Sequence, residues 1–263
     1  MDLKLNGKRA LICGGSSGLG RAVATALVAE GAHVALLSRD AEKLQAVADA
    51  LNATGPGKAV VAAADLADHE ALLQAVDRAE DLLGGPIEIL LNNTGGPPPS
   101  GVSGLEPAVW RDHFESMVLS IFRLTDRVLP AMRAAGWGRI LNVASITVVE
   151  PSAALGVSNT LRASVAAWAK TLANEVGPDG VTVNTLLPGR IDTPRIERLD
   201  QATAERTGTT PQEARAESVK SIPVGRIGTT EEFGATAAFL CSPLAAYVTG
   251  SLIRLDGGAI KAI

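Results

Sequence analysis

Residues 9 to 20 have the sequence RALICGGSSGLG, a short apolar segment that runs into a glycine-rich turn and then into a helical pattern. Gly14 allows a tight turn, Gly18 lets the backbone approach a bound phosphate, and Gly20 lets the helix pack close to the strand. The free amides and the positive dipole end of such a helix favour an anion. The segment therefore predicts a strand, turn and helix that bind the pyrophosphate of a dinucleotide, although the glycines alone also fit an ordinary turn.

The same alternation of short apolar runs and longer helical patterns continues along the chain. Runs with the length and composition of buried strands lie at 9–13, 33–37, 59–64, 87–92, 138–143, 181–186 and 252–255. Helical patterns lie at 19–30, 41–53, 69–83, 107–135, 152–176 and 231–241. We predict an α/β fold, a single Rossmann-type doubly wound parallel sheet of about seven strands with helices on both faces. A ligand is then expected beyond the carboxyl ends of the strands.

Length and composition restrict the possible partners. The chain has 263 residues, of which 46% are hydrophobic and 20% are charged, and its formal net charge is −4. Because basic residues are not in excess, nucleic acid is not an expected partner. No apolar run approaches the roughly 18 residues of a membrane span, so we expect no membrane partner and a cytoplasmic protein. The two cysteines and three histidines lack metal-ligand spacing, and no metal site is expected.

Two stretches interrupt the alternation. Residues 95–104, GGPPPSGVSG, are stiffened by proline, and the polar segment 193–228 is too long for an ordinary connection. The second stretch contains one helical pattern, at about 211–221, and its charged residues are mixed in sign. We interpret both stretches as candidate lids rather than linkers between domains, and the mixed charges predict no particular substrate.

The second predicted strand is followed by Ser38 and Arg39, where a dinucleotide fold meets the adenosine ribose. An acidic residue there would bind the ribose hydroxyls and repel a 2′-phosphate, whereas serine and arginine offer a small donor and a cation. These residues predict a preference for NADP(H), with NAD(H) still possible. The alternative is that Arg39 is a solvated surface charge.

Further motifs follow the later strands in order. They are Asp65-Leu66, Asn92-Asn93-Thr94-Gly95, Asn142-Val143-Ala144-Ser145, Pro188-Gly189 with Thr193, Tyr247-Val248-Thr249-Gly250 and Asp256-Gly257-Gly258. With GGSSGLG they cover nearly the whole chain, which resembles the short-chain dehydrogenase/reductase family and, within it, the 3-oxoacyl-acyl-carrier-protein reductase-like group. The resemblance implies one Rossmann-type domain over residues 1–263, with a substrate lid at about 193–228.

The resemblance also implies where a cofactor binds. It places Asp65 against the adenine, Asn92 and Gly95 along the adenosine and ribose path, and residues 188–193 at the nicotinamide end. The expected cofactor-binding residues are Gly14, Ser16, Ser17, Gly18, Leu19, Gly20, Ser38, Arg39, Asp65, Leu66, Asn92, Gly95, Arg162, Pro188, Gly189, Ile191 and Thr193.

The catalytic positions of the family are altered in this chain. The family uses an Asn on the fourth helix, a Ser after the fifth strand, and a Tyr and a Lys one turn apart on the next helix. Ser145 matches the family's serine, but Met117, Ser158 and Arg162 stand at the positions of the Asn, the Tyr and the Lys. Ser145, Ser158 and Arg162 are therefore the predicted catalytic residues.

The chemistry of these replacements limits the mechanism. A serine hydroxyl is far less acidic than a phenol, so Ser158 is a poor proton donor, but with Ser145 it can donate a hydrogen bond to a carbonyl. Arg162 stays protonated and can hold the ribose hydroxyls, while the proton would pass through water. The alternatives are an ordinary helix-start serine at position 158, a plain turn serine at 145, and an ion pair of Arg162 with Glu150 or Asp192.

The helical patterns at 107–135 and 152–176 suggest an assembly. The first is apolar on more than one side, and the second has a face of small residues that allows close packing. In the resembled family these helices form a dimer interface, so we predict a homodimer or homotetramer. His113 is interpreted as a surface or interface residue rather than a catalyst, and Cys13 and Cys241 as small core residues.

Two main functions follow from this pattern. The first is an NADP(H)-dependent oxidoreductase that transfers a hydride between nicotinamide and a small-molecule carbonyl or hydroxyl substrate. The second is a catalytically degenerate dinucleotide-binding protein, a sensor or partner, that kept the cofactor pocket after losing the Tyr, Lys and Asn. Different chemistry on the same scaffold is a third possibility, for which the sequence singles out no reaction.

Overall fold

The computed structural model describes residues 1–262 and contains seven β-strands. They are β1 (Arg9–Cys13), β2 (His33–Leu37), β3 (Ala59–Val61), β4 (Ile89–Asn92), β5 (Gly138–Val143), β6 (Val181–Pro188) and β7 (Leu252–Leu255). All neighbouring strands are parallel, and their order in the sheet is β3-β2-β1-β4-β5-β6-β7. The order reverses direction between β1 and β4, which is the position where a doubly wound sheet opens a crevice for ligands. The predicted fold class is confirmed.

Nine α-helices connect the strands in residues 1–262. They are α1 (Gly18–Ala29), α2 (Ala41–Thr54), α3 (His69–Leu83), α4 (Pro107–Phe114), α5 (Ser120–Ala134), α6 (Gly156–Val176), α7 (Pro194–Thr207), α8 (Pro211–Val219) and α9 (Thr230–Cys241). None of these helices is both long enough and apolar enough to cross a membrane.

The two faces of the sheet carry separate hydrophobic clusters, because alternate residues of each buried strand point to opposite sides. One cluster packs β1 residues Ala10 and Ile12 against α1 and α9, and the other packs Leu11 and Cys13 toward α3 and α5. Both cysteines are buried as predicted, and burial raises the pKa of each thiol to about 12. They are packing residues with no reactive thiolate.

The strand ends differ slightly from the predicted ones. β3 ends at Val61 instead of residue 64, although Ala62 and Ala64 still donate backbone hydrogen bonds to the β2 side, to Leu36 and Ser38. β4 begins at Ile89 rather than at residue 87, and β6 continues to Pro188, which pairs with Leu255 of β7. The end of the longer β6 therefore lies at the carboxyl edge of the sheet, where a ligand is expected.

The region predicted as one helix over 107–135 is interrupted. A π-helical turn, Glu115–Leu119, separates α4 from α5 and is continuous with both. Met117 and Val118 of this turn are buried against Val157 and Leu161 of α6. The prediction of an unbroken helix was therefore wrong, because apolar periodicity does not report a locally widened turn, a feature that often marks functional sites.

The segment 193–228 contains a helix that the sequence reading missed. α7 follows Thr193 directly, and α8 matches the predicted helical piece except that it ends at Val219. α7 buries only Ile196, Asp200 and Ala204, so its apolar periodicity is weak. The start with Pro194 in the first turn and the left-handed Gly208 after the last residue are signals that could have identified it.

Candidate active site

A cavity of about 590 Å³ lies at the carboxyl ends of the strands, at the place where the strand order reverses. Its walls come from the turn after β1, the ends of β2, β4, β5 and β6, the start of α6 and the first turns of α7. The volume is in the range of sites that hold cofactors and small ligands. Most of the predicted site residues lie on this one surface.

The turn after β1 has the backbone that a phosphate loop requires. Gly14 and Gly18 adopt φ values of +66° and +54°, which side chains with a Cβ rarely take. A Cβ on Gly20 would lie 2.3 Å from the carbonyl oxygen of Gly14, so only glycine lets α1 start this close to the strand. Ser17 precedes α1 without a side-chain cap, which leaves the first amides of the helix available to a ligand.

Ser38 and Arg39 line the far end of the cavity beside Asp65. The Ser38 Oγ atom is buried and has no hydrogen-bond partner within residues 1–262. The Arg39 side chain is 79% exposed, and its Nη1 lies 3.9 Å from the Asp65 carboxylate, a distance that makes only a loose ion pair. A buried hydroxyl without a partner and an exposed, loosely paired cation are together suited to a phosphate group.

Asn92 does not line the cavity, although the next residue in the chain does. Its side chain is fully buried and donates hydrogen bonds to Oδ1 of Asn142 at 2.9 Å and to Thr125 Oγ1 at 3.2 Å. The cavity wall is formed instead by Asn93, Thr94 and Gly95. Asn92 therefore holds β4 to β5 from inside the protein and does not reach the cavity where a ribose was expected.

Ser145 follows β5 and lines the cavity. Its Oγ accepts a hydrogen bond from the backbone amide of Thr147 at 3.2 Å, at the start of a short 3₁₀ turn. Because the oxygen is used as an acceptor there, the hydroxyl proton remains free to be donated to a ligand. Ser145 thus stabilises the turn through its oxygen and still has a hydroxyl proton that it can donate to a ligand.

Ser158 and Arg162 form a connected pair on α6. Arg162 Nε donates to Ser158 Oγ at 3.2 Å, and Arg162 Nη1 donates to the carbonyl oxygen of Val143 at 2.9 Å. Ser158 is 5% exposed and caps no backbone amide, although it lies in the first turn of the helix. Since its oxygen accepts from Arg162, the Ser158 hydroxyl proton is available to a ligand in the cavity.

Arg162 has no acidic partner among residues 1–262, and the suggested ion pairs with Glu150 or Asp192 are absent from this part of the chain. Asp192 instead accepts from Arg215 Nη2 at 2.7 Å. Burial of the guanidinium, together with the nearby charge of Arg195, lowers the pKa of Arg162 to about 10. That pKa still leaves the group protonated at neutral pH, so a full positive charge stands beside Ser158.

The described residues fit a dinucleotide. Two observations favour the dinucleotide: the left-handed glycines before α1, and the buried Ser38 hydroxyl without a partner within residues 1–262. Residues 1–262 contain no group of three or more His, Cys, Asp or Glu side chains arranged to hold a metal ion.

Comparison with known proteins identifies the family. A family model described as enoyl-(acyl carrier protein) reductase matches residues 14–259. The 3-oxoacyl-[acyl-carrier-protein] reductase of Vibrio cholerae is 34% identical over 256 residues, which cover 97% of this chain and 98% of that protein. The chain belongs to the short-chain dehydrogenase/reductase family. Membership of this family assigns the chain to the class of NAD(P)-dependent oxidoreductases.

Solved structures of short-chain dehydrogenases/reductases superpose closely on this chain. L-sorbose reductase from Gluconobacter frateurii, in complex with NADPH and L-sorbose, has a TM-score of 0.94 and 31% identity, and each chain is covered completely (100%). A 3-oxoacyl-[acyl-carrier protein] reductase from Brucella melitensis with bound NAD has a TM-score of 0.85 and 28% identity, with 99% of this chain and 95% of that chain covered.

Several cavity residues of this short-chain dehydrogenase/reductase were not identified from the sequence. His113 and Ser116 lie on the cavity wall beside Met117, a position that the interpretation of His113 as a surface or interface residue did not specify. Leu155, Arg195, Arg198 and Leu199 also line the cavity. Both arginines belong to the predicted lid of mixed charge, and sequence alone does not tell which side chains of a polar helix turn inward.

The remaining expected residues line the cavity or lie directly behind its wall. The cavity is lined by Gly14, Ser16, Ser17, Gly18, Leu19, Ser38, Arg39, Asp65, Leu66, Gly95, Ser145, Ser158, Arg162, Pro188, Gly189, Ile191 and Thr193. Gly20 lies behind the turn, where its lack of a Cβ sets the distance from α1 to β1. Met117, at the position where the resemblance predicts the family's Asn, brings a buried thioether to the cavity wall.

Proposed function

We propose that this protein is an NADP(H)-dependent oxidoreductase that transfers a hydride between nicotinamide and a carbonyl or secondary alcohol. The observation that carries the proposal is the Ser158–Arg162 pair, which faces the same cavity as Ser145 and the glycine-rich turn. A reductase function rather than a purely binding one is supported by the reductase names of the relatives, which match almost the entire chain.

The cofactor would be held along the cavity by backbone amides, a hydroxyl and a cation. The amides before α1 and the turn glycines suit the pyrophosphate, while the Ser38 hydroxyl and the Arg39 guanidinium suit a 2′-phosphate. The L-sorbose reductase relative binds NADPH and the Brucella relative binds NAD. Since neither Ser38 nor Arg39 repels a phosphate, we infer that NADP(H) is preferred and that NAD(H) is accepted more weakly.

When bound, the nicotinamide supplies or accepts the hydride. Ser145 and Ser158 each have a hydroxyl proton free to donate to the substrate oxygen, because their oxygens already accept hydrogen bonds from Thr147 and Arg162. Two donors fixed in this way stabilise the negative charge that develops on that oxygen. The Arg162 cation strengthens the Ser158 donor, because a hydrogen bond from a charged group polarises the hydroxyl that accepts it.

The proton itself needs a path that does not use a phenol. The serine hydroxyls have pKa values too high to act as free acids at neutral pH, so we infer that water delivers the proton to the bound oxygen. Met117 adds no polar group to such a path. The half-buried His113 and Ser116 bring polar groups to the same wall, one turn before Met117 and next to it.

We further infer that α7, and with it the segment 193–228, covers the substrate. Thr193 is buried at the cavity and Arg195 Nη2 donates to the carbonyl oxygen of Pro97 at 3.1 Å. That bond joins the first turn of α7 to the proline-rich loop on the opposite wall. Binding of substrate beneath this contact would exclude water from the reacting atoms.

The proposal is tested by titrating the purified protein with NADPH and with NADH, followed by NADPH oxidation against a panel of oxo acids, diketones, keto sugars and 3-oxoacyl thioesters. We expect saturable binding of both cofactors, tighter for NADPH, and turnover of at least one carbonyl class. Absence of saturable NADPH binding contradicts the proposal as a whole. Tighter binding of NADH contradicts the cofactor preference alone.

A further inference from the structure

Two guanidinium groups from distant parts of the chain meet above Gly96. A Cβ placed on Gly96 would lie 3.0 Å from Nη2 of Arg195 and 3.5 Å from Nη2 of Arg162. Arg195 comes from the first turn of α7 and Arg162 from α6, and both line the cavity. The absence of a side chain at Gly96 leaves the space between these two cations open.

Neither cation has a carboxylate partner within the described part of the chain. The acidic residues nearest in sequence to Arg195 are engaged or exposed: Asp192 pairs with Arg215, Asp200 pairs with Arg190, and Glu197 is exposed. Two like charges that are both partly removed from water repel each other, and an anion bound between them would offset that repulsion. The pKa of Arg195, like that of Arg162, is held below its usual value, chiefly by burial.

Both groups retain donors that the protein does not use. Arg162 commits Nε and Nη1 to Ser158 and Val143, which leaves Nη2 on the side of Gly96. Within residues 1–262 the Arg195 side chain makes a single hydrogen bond to protein, from Nη2 to the carbonyl oxygen of Pro97. The remaining N–H groups of two planar forks match the oxygens of a carboxylate or a phosphate.

We propose, resting on the function proposed above, that the substrate carries a compact anionic group that Arg195 and Arg162 bind together over Gly96. Because Arg162 also contacts Ser158, this anion lies close to the oxygen that Ser145 and Ser158 would polarise. The substrate class is therefore a short oxo acid or its hydroxy acid, or a phosphorylated counterpart. In reduction the carbonyl carbon accepts the hydride from NADPH and the oxygen accepts a proton, which gives the hydroxy compound and NADP⁺.

The first test measures anion binding without turnover. The protein is saturated with NADP⁺, and its thermal midpoint is recorded with increasing malonate or inorganic phosphate. We expect the wild type to be stabilised in a saturable way, the variant Arg195→Gln to lose that response, and Arg195→Lys to keep part of it. Arg206→Gln, an exposed arginine on the same helix outside the cavity, is the matched control and should respond as the wild type does. A response to malonate alone assigns a carboxylate, and a response to phosphate alone assigns a phosphate.

The second test compares an oxo acid with its neutral methyl ester as substrates. We expect kcat/KM for the acid to exceed that for the ester at least tenfold in the wild type, and the ratio to collapse in Arg195→Gln. Unchanged wild-type stability with both anions overturns the proposal. So does an Arg195→Gln variant that binds NADP⁺ more weakly but responds to anions normally, because Arg195 would then serve the cofactor. Failure of the wild type to bind NADP⁺ instead contradicts the proposed function.

Discussion

Arg162 donates to Ser158 from one edge of its guanidinium and to the Val143 carbonyl from another, so one side chain links α6 to the end of β5. The contact to Ser158 spans one helical turn, as expected for residues four apart. The carbonyl bond fixes the plane of the guanidinium, and that plane in turn fixes the Ser158 oxygen. Ser158 and Arg162 thus form an ordered pair at the positions where the sequence resemblance predicts the family's tyrosine and lysine.

The variants Arg162→Gln and Arg162→Lys test this pair. We expect kcat at saturating NADPH to fall about tenfold to 100-fold in Arg162→Gln, because Ser158 loses a charged donor. The kcat of Arg162→Lys should lie between those of Arg162→Gln and the wild type. A lysine keeps the positive charge, but it has no planar fork with which to reach both acceptors. A neutral methyl ester is the suitable substrate, as it removes any effect on anion binding. Wild-type kcat in both variants would show that the pair has no part in turnover.

Gly95→Ala tests whether a ligand occupies the ribose path. Gly95 lines the cavity, its φ is not in the left-handed region, and a Cβ there meets no protein atom within 4 Å. We therefore expect an unchanged thermal midpoint without ligand and at least a tenfold weaker Kd for NADPH. Gly101→Ala, which also meets no atom within 4 Å but lies outside the cavity, is the control and should leave Kd unchanged. Equal NADPH affinity in both variants would place the cofactor elsewhere.

Arg39→Ala addresses the cofactor preference. The side chain is mostly exposed and only loosely paired with Asp65, so its removal should cost little stability. We expect the Kd for NADPH to rise about fivefold to tenfold and the Kd for NADH to change by less than twofold. Lys43→Ala removes a cation from the exposed side of α2 and serves as the control. Equal losses for the two cofactors would mean that Arg39 does not distinguish the 2′-phosphate.

Much of this architecture was predictable because it depends on local patterns. The strands are continuous apolar runs bounded by Gly, Pro or polar residues, and the glycine turn is specified by backbone requirements at Gly14, Gly18 and Gly20. α7 was missed because its buried face is only partly apolar: the carboxylate of Asp200 lies inside and is neutralised by Arg190. A buried ion pair gives no hydrophobic periodicity, so the amphipathic pattern of the helix is hidden.

Individual residues of the site could be predicted from the sequence where they belong to a recognisable motif. Asn92 does not line the cavity, because alternate residues at the end of β4 point to opposite sides. Asn93, the next residue, forms the cavity wall instead. The meeting of Arg162 and Arg195 had no sequence signal, since it depends on how α7 lies over the loop at Gly96. Contacts between elements that are distant in sequence come from packing, which local patterns do not encode.

Glu232 at the start of α9 gives a prediction of pH dependence. Its carboxylate accepts from Arg226 Nη1 at 2.9 Å and from the Thr229 amide at 2.8 Å, and these bonds, the arginine first, lower the pKa of Glu232 to about 2. Since the folded pKa lies below the unfolded one, this contribution to stability is present above about pH 4.5 and is lost as pH falls toward 2. We expect Glu232→Gln to lower the thermal midpoint at pH 7 and to lower it less at pH 2.5.

A glutamine at position 232 can still accept from the Thr229 amide, so this variant isolates the contact with Arg226. Glu213 on α8 provides a comparison, because it forms the same capping box with Thr210 and has no arginine partner among residues 1–262. Its replacement by glutamine should change the thermal midpoint less, and with a weaker dependence on pH. An effect of Glu232→Gln that is the same at both pH values would refute the assignment.

The role of Ser158 is tested most directly by single-turnover oxidation of bound NADPH with a neutral carbonyl substrate, in the wild type and in Ser158→Ala. Thr160→Ala, whose hydroxyl bonds the Gly156 carbonyl on the exposed side of α6, is the control. We predict that Ser158→Ala slows the hydride step about 100-fold or more with an unchanged Kd for NADPH, while Thr160→Ala keeps the wild-type rate. A Ser158→Ala variant that turns over as fast as the wild type would contradict the account.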